Sequence, residues 1–182
     1  MTFDLNKHVA RLLMNEPFFA ALSRTVDKRV GPIPTACVMV NPDTARFEML
    51  YNPEFLEPLT DTELTGILKH EFYHLLFEHV TGRMPDEVRA DFAKMGRLWN
   101  FATDLAINSH LAHELPAGAL IPGVEPFQDL PLGKSAEWYY EELKKNAEEG
   151  GPSDDGEEQA GEEGEEGEGE GGPGQEGDGE GK

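Results

Sequence analysis

The residues of this chain best suited to chemistry are His70-Glu71-Phe72-Tyr73-His74, the pattern HExxH. Two histidines four apart on a helix lie about 40° apart around its axis, so both imidazoles can reach one metal ion. The glutamate beside the first histidine can then act as general base toward a zinc-activated water. Such a set is the working core of a zinc-dependent hydrolase, most often a peptidase. Zinc at a catalytic site takes three protein ligands and keeps one position for water, so a third ligand must come from elsewhere. Glu78 continues the four-residue step. It falls about 12 Å along the axis from His70, too far for ligands that must converge within about 2 Å of one ion. His79 falls about 180° from His70 on the helical wheel, which suits a surface or packing role. The Gly and His that extend this pattern in metzincins would stand at Phe77 and Val80, so that class is excluded.

A second polar pattern offers a third ligand. In the stretch Trp99-Asn100-Phe101-Ala102-Thr103-Asp104-Leu105-Ala106-Ile107-Asn108, three polar residues recur every fourth position. Asn100, Asp104 and Asn108 form one stripe on a largely apolar helix. A carboxylate there is costly unless it is paired or bound to metal. Asp104 is the favoured third ligand, with Asn100 and Asn108 holding ligands or helices in place. Two alternatives stay open. Asp104 could instead pair with Arg97 or another base, and His110 or His113 could supply the ligand.

The elements that must position these groups follow from capping and periodicity. Thr60 and Glu63 make a capping box, and Leu64, Ile67, Leu68, Phe72, Leu75, Leu76 and Phe77 follow at helical spacing. The pattern predicts a helix from about Thr62 to Val80. Residues 4–29 read as helix interrupted near Pro17, ending at Gly31-Pro32-Ile33-Pro34. Thr35–Val40 and Arg46–Tyr51 are β-rich runs joined by Asn41-Pro42-Asp43-Thr44, a hairpin signal. After the break at Gly82–Pro85, a long helix running to about Glu114 carries the polar stripe. Pro116–Gly133 reads as extended loop, and Ser135 can cap a last helix, Ala136–Lys145. The expected class is α+β: mainly helical, with a small sheet or hairpin.

The formal net charge is −21, and it is unevenly spread: Glu148–Lys182 holds 15 acidic residues and one lysine. Two regions follow, a folded domain over 1–146 and a Gly/Glu-rich acidic tail over 147–182. The tail lacks apolar residues to bury, so disorder is expected. It would serve as a solubilising segment or linker, or as an acidic arm for a basic partner protein. The charge argues against direct DNA or RNA binding. The single cysteine, Cys37, reads as a buried strand thiol, and one cysteine excludes a disulfide framework within the chain. No signal-peptide core and no apolar run of membrane-spanning length are present, which makes the cytoplasm the expected compartment.

Taken together, the HExxH pattern at 70–74 and the W-N-x-A-x-D-x-x-I-N pattern at 99–108 resemble a known family. It is the metallopeptidase domain found N-terminal to von Willebrand factor A-like domains in bacteria and phages. Ser135-Ala136-Glu137-Trp138-Tyr139-Tyr140 is similar to that family's late helix. The resemblance spans about residues 5–145, and the combination of motifs is more specific than either alone. It implies a zincin-like fold, a peptide or protein substrate, zinc held by His70, His74 and Asp104, and Glu71 as general base. The acidic tail stands where the second domain would follow, leaving a fragment and a stand-alone version as the two readings. Tyr139, Tyr140 and His110 are candidates to stabilise an oxyanion. One rival function is a catalytically silent zinc-binding module whose tail engages a basic partner. Another is a metal hydrolase acting on something other than peptides.

Overall fold

The computed structural model describes residues 3–148. Two helices open the chain, α1 (Leu5–Asn15) and α2 (Pro17–Ser23), divided where Pro17 begins the second. Three strands follow, β1 (Val26–Val30), β2 (Ala36–Val40) and β3 (Phe47–Tyr51). Then come α3 (Pro53–Leu56), α4 (Asp61–Leu76), α5 (Asp86–Ala90), α6 (Phe92–Leu111) and α7 (Ala136–Glu148). The fold is α+β, as expected. The acidic tail expected over 147–182 lies outside the described residues from position 149 onward. No described helix is long and apolar enough to cross a membrane.

Four expectations need correction. Residues 26–30 are strand, not the end of a helix. β1 runs parallel to β3, and the sheet order is β1-β3-β2, so the predicted hairpin becomes the inner and one outer strand of a three-stranded sheet. Asp27, Lys28 and Arg29 carry no apolar period of either kind, and pairing with β3 overrides their local preference. The helix expected to reach Val80 stops at Leu76. The long helix expected from Pro85 breaks at Asp91, whose extended backbone ends α5 and whose side chain caps α6 at the Lys94 N–H, 3.3 Å away. Cys37 lies on β2 as expected, but it is half-buried.

Two apolar cores form on either side of the site. The first gathers Leu5, Leu12, Phe19, Val26, Val38 and Met49 around the buried face of α4, made by Leu64, Leu68, Phe72 and Leu75. Each such side chain contributes about 1.5–3 kcal/mol on burial. The second core packs α5, α6 and α7 through Val88, Trp99, Leu105, Tyr139 and Tyr140. Helix α4 therefore belongs to one core and α6 to the other.

The start of α4 is fixed by the expected capping box: Thr60 N–H donates to Glu63 at 2.8 Å, and Glu63 N–H to the Thr60 hydroxyl at 3.3 Å. Farther along, the buried Lys69 ammonium reaches Glu114 at 2.7 Å and Glu16 at 3.3 Å, tying α4 to the segment after α6 and to the α1–α2 junction. Gly66 allows this approach, because a Cβ there would meet the Glu114 carbonyl oxygen at 2.1 Å. Gly66→Ala is expected to lower stability by about 1–3 kcal/mol in denaturant titrations. In Gly82→Ala the new Cβ meets only the mobile end of Glu78, and the change should stay within about 0.5 kcal/mol.

Candidate metal centre

Where α4 faces α6, His70, His74 and Asp104 each bring one ligand atom into a group no more than 4.8 Å across. The Nε2 atoms of His70 and His74 are 3.0 Å apart. Asp104 Oδ1 lies 3.3 Å from each of them. Ligands about 2.0–2.1 Å from a tetrahedral zinc stand about 3.3–3.4 Å from one another, so this triangle has the size of one face of such a site. The cluster could hold a metal ion. It is mostly buried, with 13%, 10% and 18% of the three side chains exposed.

The orientation of His70 is set from behind. Its Nδ1–H donates to Asn108 Oδ1 at 2.8 Å, while Asn108 Nδ2–H donates to the Leu120 carbonyl at 2.8 Å. The carbonyl can only accept, which fixes the amide's direction and leaves Oδ1 to accept from His70. Nε2 is then the ring nitrogen that faces the cluster. Of the two stripe asparagines, Asn108 fills the expected supporting role. Among the described residues, Asn100 makes no such bond to the ligands. The pairing of Asp104 with Arg97 is not what forms: Asp104 faces the two imidazoles, and the Arg97 guanidinium lies over the Phe101 ring. His110 and His113 are exposed and do not join the cluster.

Glu71 is 6% exposed on the same helix. Burial raises its pKa; the charges of His70 and His74 and a hydrogen bond from the Val38 backbone N–H oppose that rise without cancelling it. The donor comes from the outer edge of the sheet. Asn52 N–H bonds Thr35 O, and Asn41 N–H bonds Arg46 O, so odd-numbered residues of β2 bond β3. The even-numbered residues, Val38 among them, turn their backbone groups away from it.

His79 was the least foreseen neighbour. With α4 ending at Leu76, it leaves the helical wheel. Glu78 takes the left-handed conformation at φ 57°, its N–H bonds Leu75 O at 3.1 Å, and His79 N–H bonds His74 O at 2.9 Å. This is a Schellman closure, whose outermost residue packs back on the last turn. Here that contact sets the His79 ring edge-on to His74, 5.4 Å between centroids. Trp99 of α6 donates to the His79 carbonyl at 3.3 Å. Burial, then the charges of His74 and Arg83, lower the His79 pKa to about 3, so it is neutral. A glycine at 78 would have signalled the turn, and Glu78 gave no such signal. The rings of Tyr139 and Tyr140, weighed as oxyanion donors, pack in the second core. The Tyr139 hydroxyl donates to Pro131 O at 2.7 Å.

A family described as "Putative metallopeptidase domain" matches residues 2–182. The chain belongs to this family. Membership in a metallopeptidase family points to a bound metal ion and to peptide or protein substrates. No curated protein and no solved structure matches the chain.

The ionisation of the His70–His74–Asp104 cluster gives a prediction for the metal-free protein. Burial lowers the pKa of His70, but the hydrogen bond and charge of Asp104 raise it to about 9. Burial raises that of Asp104, but the two imidazoles hold it well below the usual carboxylate range. The His70 contribution to stability is complete below its ordinary 6.5 and is lost as pH rises through about 9. The Asp104 contribution is complete above its ordinary 3.8 and is lost only in stronger acid. In chelator, the melting temperature should therefore fall between pH 6.5 and 9, the window set by His70. Asp104→Asn should flatten that fall, as thermal melts across the range would record.

Proposed function

We propose that this protein is a zinc metallopeptidase of zincin-like architecture, with His70, His74 and Asp104 as metal ligands and Glu71 as general base. The observation that carries this reading is the triangle of two imidazole nitrogens and a carboxylate oxygen, of zinc-site size, with a buried carboxylate beside it. Two imidazoles and a carboxylate favour zinc among the common divalent ions. When bound, zinc supplies Lewis acidity, polarising the scissile carbonyl and lowering the pKa of water toward neutrality.

The chain's own residues do the rest. Asn108 holds His70 in the tautomer that leaves Nε2 free for the ion. Glu71 accepts a proton from the attacking water and returns it to the leaving amine. Its raised pKa suits that task, because a stronger base near neutral pH takes the proton more readily. β2 is an outer strand beside α4, and Ala36 and Val40 turn their backbone groups outward on either side of Val38. An extended peptide can pair with this edge and lie across the centre.

Glu71→Gln tests the assignment. The substitution keeps shape and removes the base, so zinc content should stay at the wild-type level while hydrolysis of a fluorogenic peptide library falls by about 10²–10⁴-fold. Wild-type hydrolysis by the purified variant would contradict it.

A further inference from the structure

Next to the metal centre lies a cavity of about 260 Å³, lined among others by His79, Arg83, His110, Lys134, Ser135 and Ala136. It is smaller than the roughly 300–1,000 Å³ typical of sites for drug-sized ligands, and it suits one amino-acid side chain or chain terminus. We propose that this cavity binds a carboxylate of the peptide substrate. The inference rests on the peptidase reading and adds to it a preference for acidic peptides.

Four observations support it. The first is charge. In a chain of net charge −21, no aspartate or glutamate lines this cavity, while two permanent cations and two imidazoles do. The second is the wall made by Ser135 and Ala136 at the head of α7, a helix of 13 residues. Ser135 already accepts from the Trp138 and Tyr139 N–H groups, at 3.3 and 3.1 Å, so what the helix head offers an anion is its partial positive charge.

The third is His79, which is 2% exposed, lines the cavity, and has no hydrogen-bond partner for its Nδ1. A buried polar atom left unpaired is costly, and in the Nδ1–H tautomer an entering carboxylate oxygen would accept a hydrogen bond from it. The fourth concerns the cations. Arg83 is held by Glu137 through two bonds of 2.8 and 2.6 Å, which orient it and offset its charge. Lys134 lies over the Trp138 ring at 5.5 Å and has no ion-pair partner among the described residues. Its positive charge is the one left for a ligand. The His74–His79 ring contact places the cavity one imidazole away from the metal ligands.

The test is an amide NMR titration of the full chain carrying Glu71→Gln, so that binding is read without turnover. The probes are acetyl-Ala-Glu-Ala-amide, acetyl-Ala-Gln-Ala-amide and acetyl-Ala-Gln-Ala with a free C-terminus. The Glu peptide should shift the Ser135 and Ala136 amides saturably and bind at least about tenfold tighter than the Gln amide, the size of one charge-assisted hydrogen bond. Lys134→Gln should erase most of that difference while leaving the rest of the spectrum in place. Tight binding by the free C-terminus alone would keep a carboxylate site but overturn the preference for acidic side chains. Equal binding by all three peptides, or no shift at Ser135 and Ala136, would overturn the proposal. The two readings can fail separately. Charge-selective binding in a protein whose Glu71→Gln variant still hydrolyses peptides would leave the carboxylate site standing and remove the peptidase mechanism. Zinc-dependent hydrolysis with no charge selectivity would do the reverse.

Discussion

Two imidazoles and a carboxylate meet at the contact between α4 and α6, and much of the fold serves to keep them there. Groups of this kind, nearly removed from water, cost several kcal/mol unless a proton or a metal ion is shared among them. Such a cluster holds together only if the helices bearing it cannot separate. Each helix is anchored in its own apolar core, α4 against the sheet and α6 against α7. The polar contact between them is therefore the seam of the molecule as well as its site.

Smaller devices set the geometry of that seam. The capping box fixes where α4 begins, and the Lys69–Glu114 pair ties its middle to the segment after α6. Its end is closed by a left-handed Glu78, which turns His79 against the back of His74 and presents a carbonyl to Trp99. Asn108 joins His70 to Leu120, so the long loop between α6 and α7 also bears on the orientation of that imidazole. One hydrogen bond from the outer strand reaches Glu71, bringing the sheet edge and this buried carboxylate into one unit.

The parts legible in the sequence were those with a local physical signature. His70 and His74 declared a shared helix face by spacing, with Glu71 beside the first, and Thr60 with Glu63 declared the helix start. Asp104 could be picked out because a carboxylate on an apolar helix needs a partner. What stayed hidden depended on tertiary context. β1 is a strand only because β3 lies beside it, and Asp27, Lys28 and Arg29 give no period of their own. The end of α4 was overrun because the left-handed position holds glutamate instead of glycine. That one misplaced boundary also misplaced His79: its packing role stands, but the helical wheel set it far from His70 and His74, and the turn returns it to His74. The break between α5 and α6 rests on Asp91, a residue that reads equally well inside a helix or at its cap.

The measurement that tests this account most directly is metal content by elemental analysis of the wild-type chain, His74→Ala and Asp104→Ala, purified alike. The account predicts roughly one zinc per wild-type chain and a loss of zinc in both variants. Wild-type protein that takes up no metal when zinc is supplied, or an Asp104→Ala variant that keeps a full complement, would contradict it.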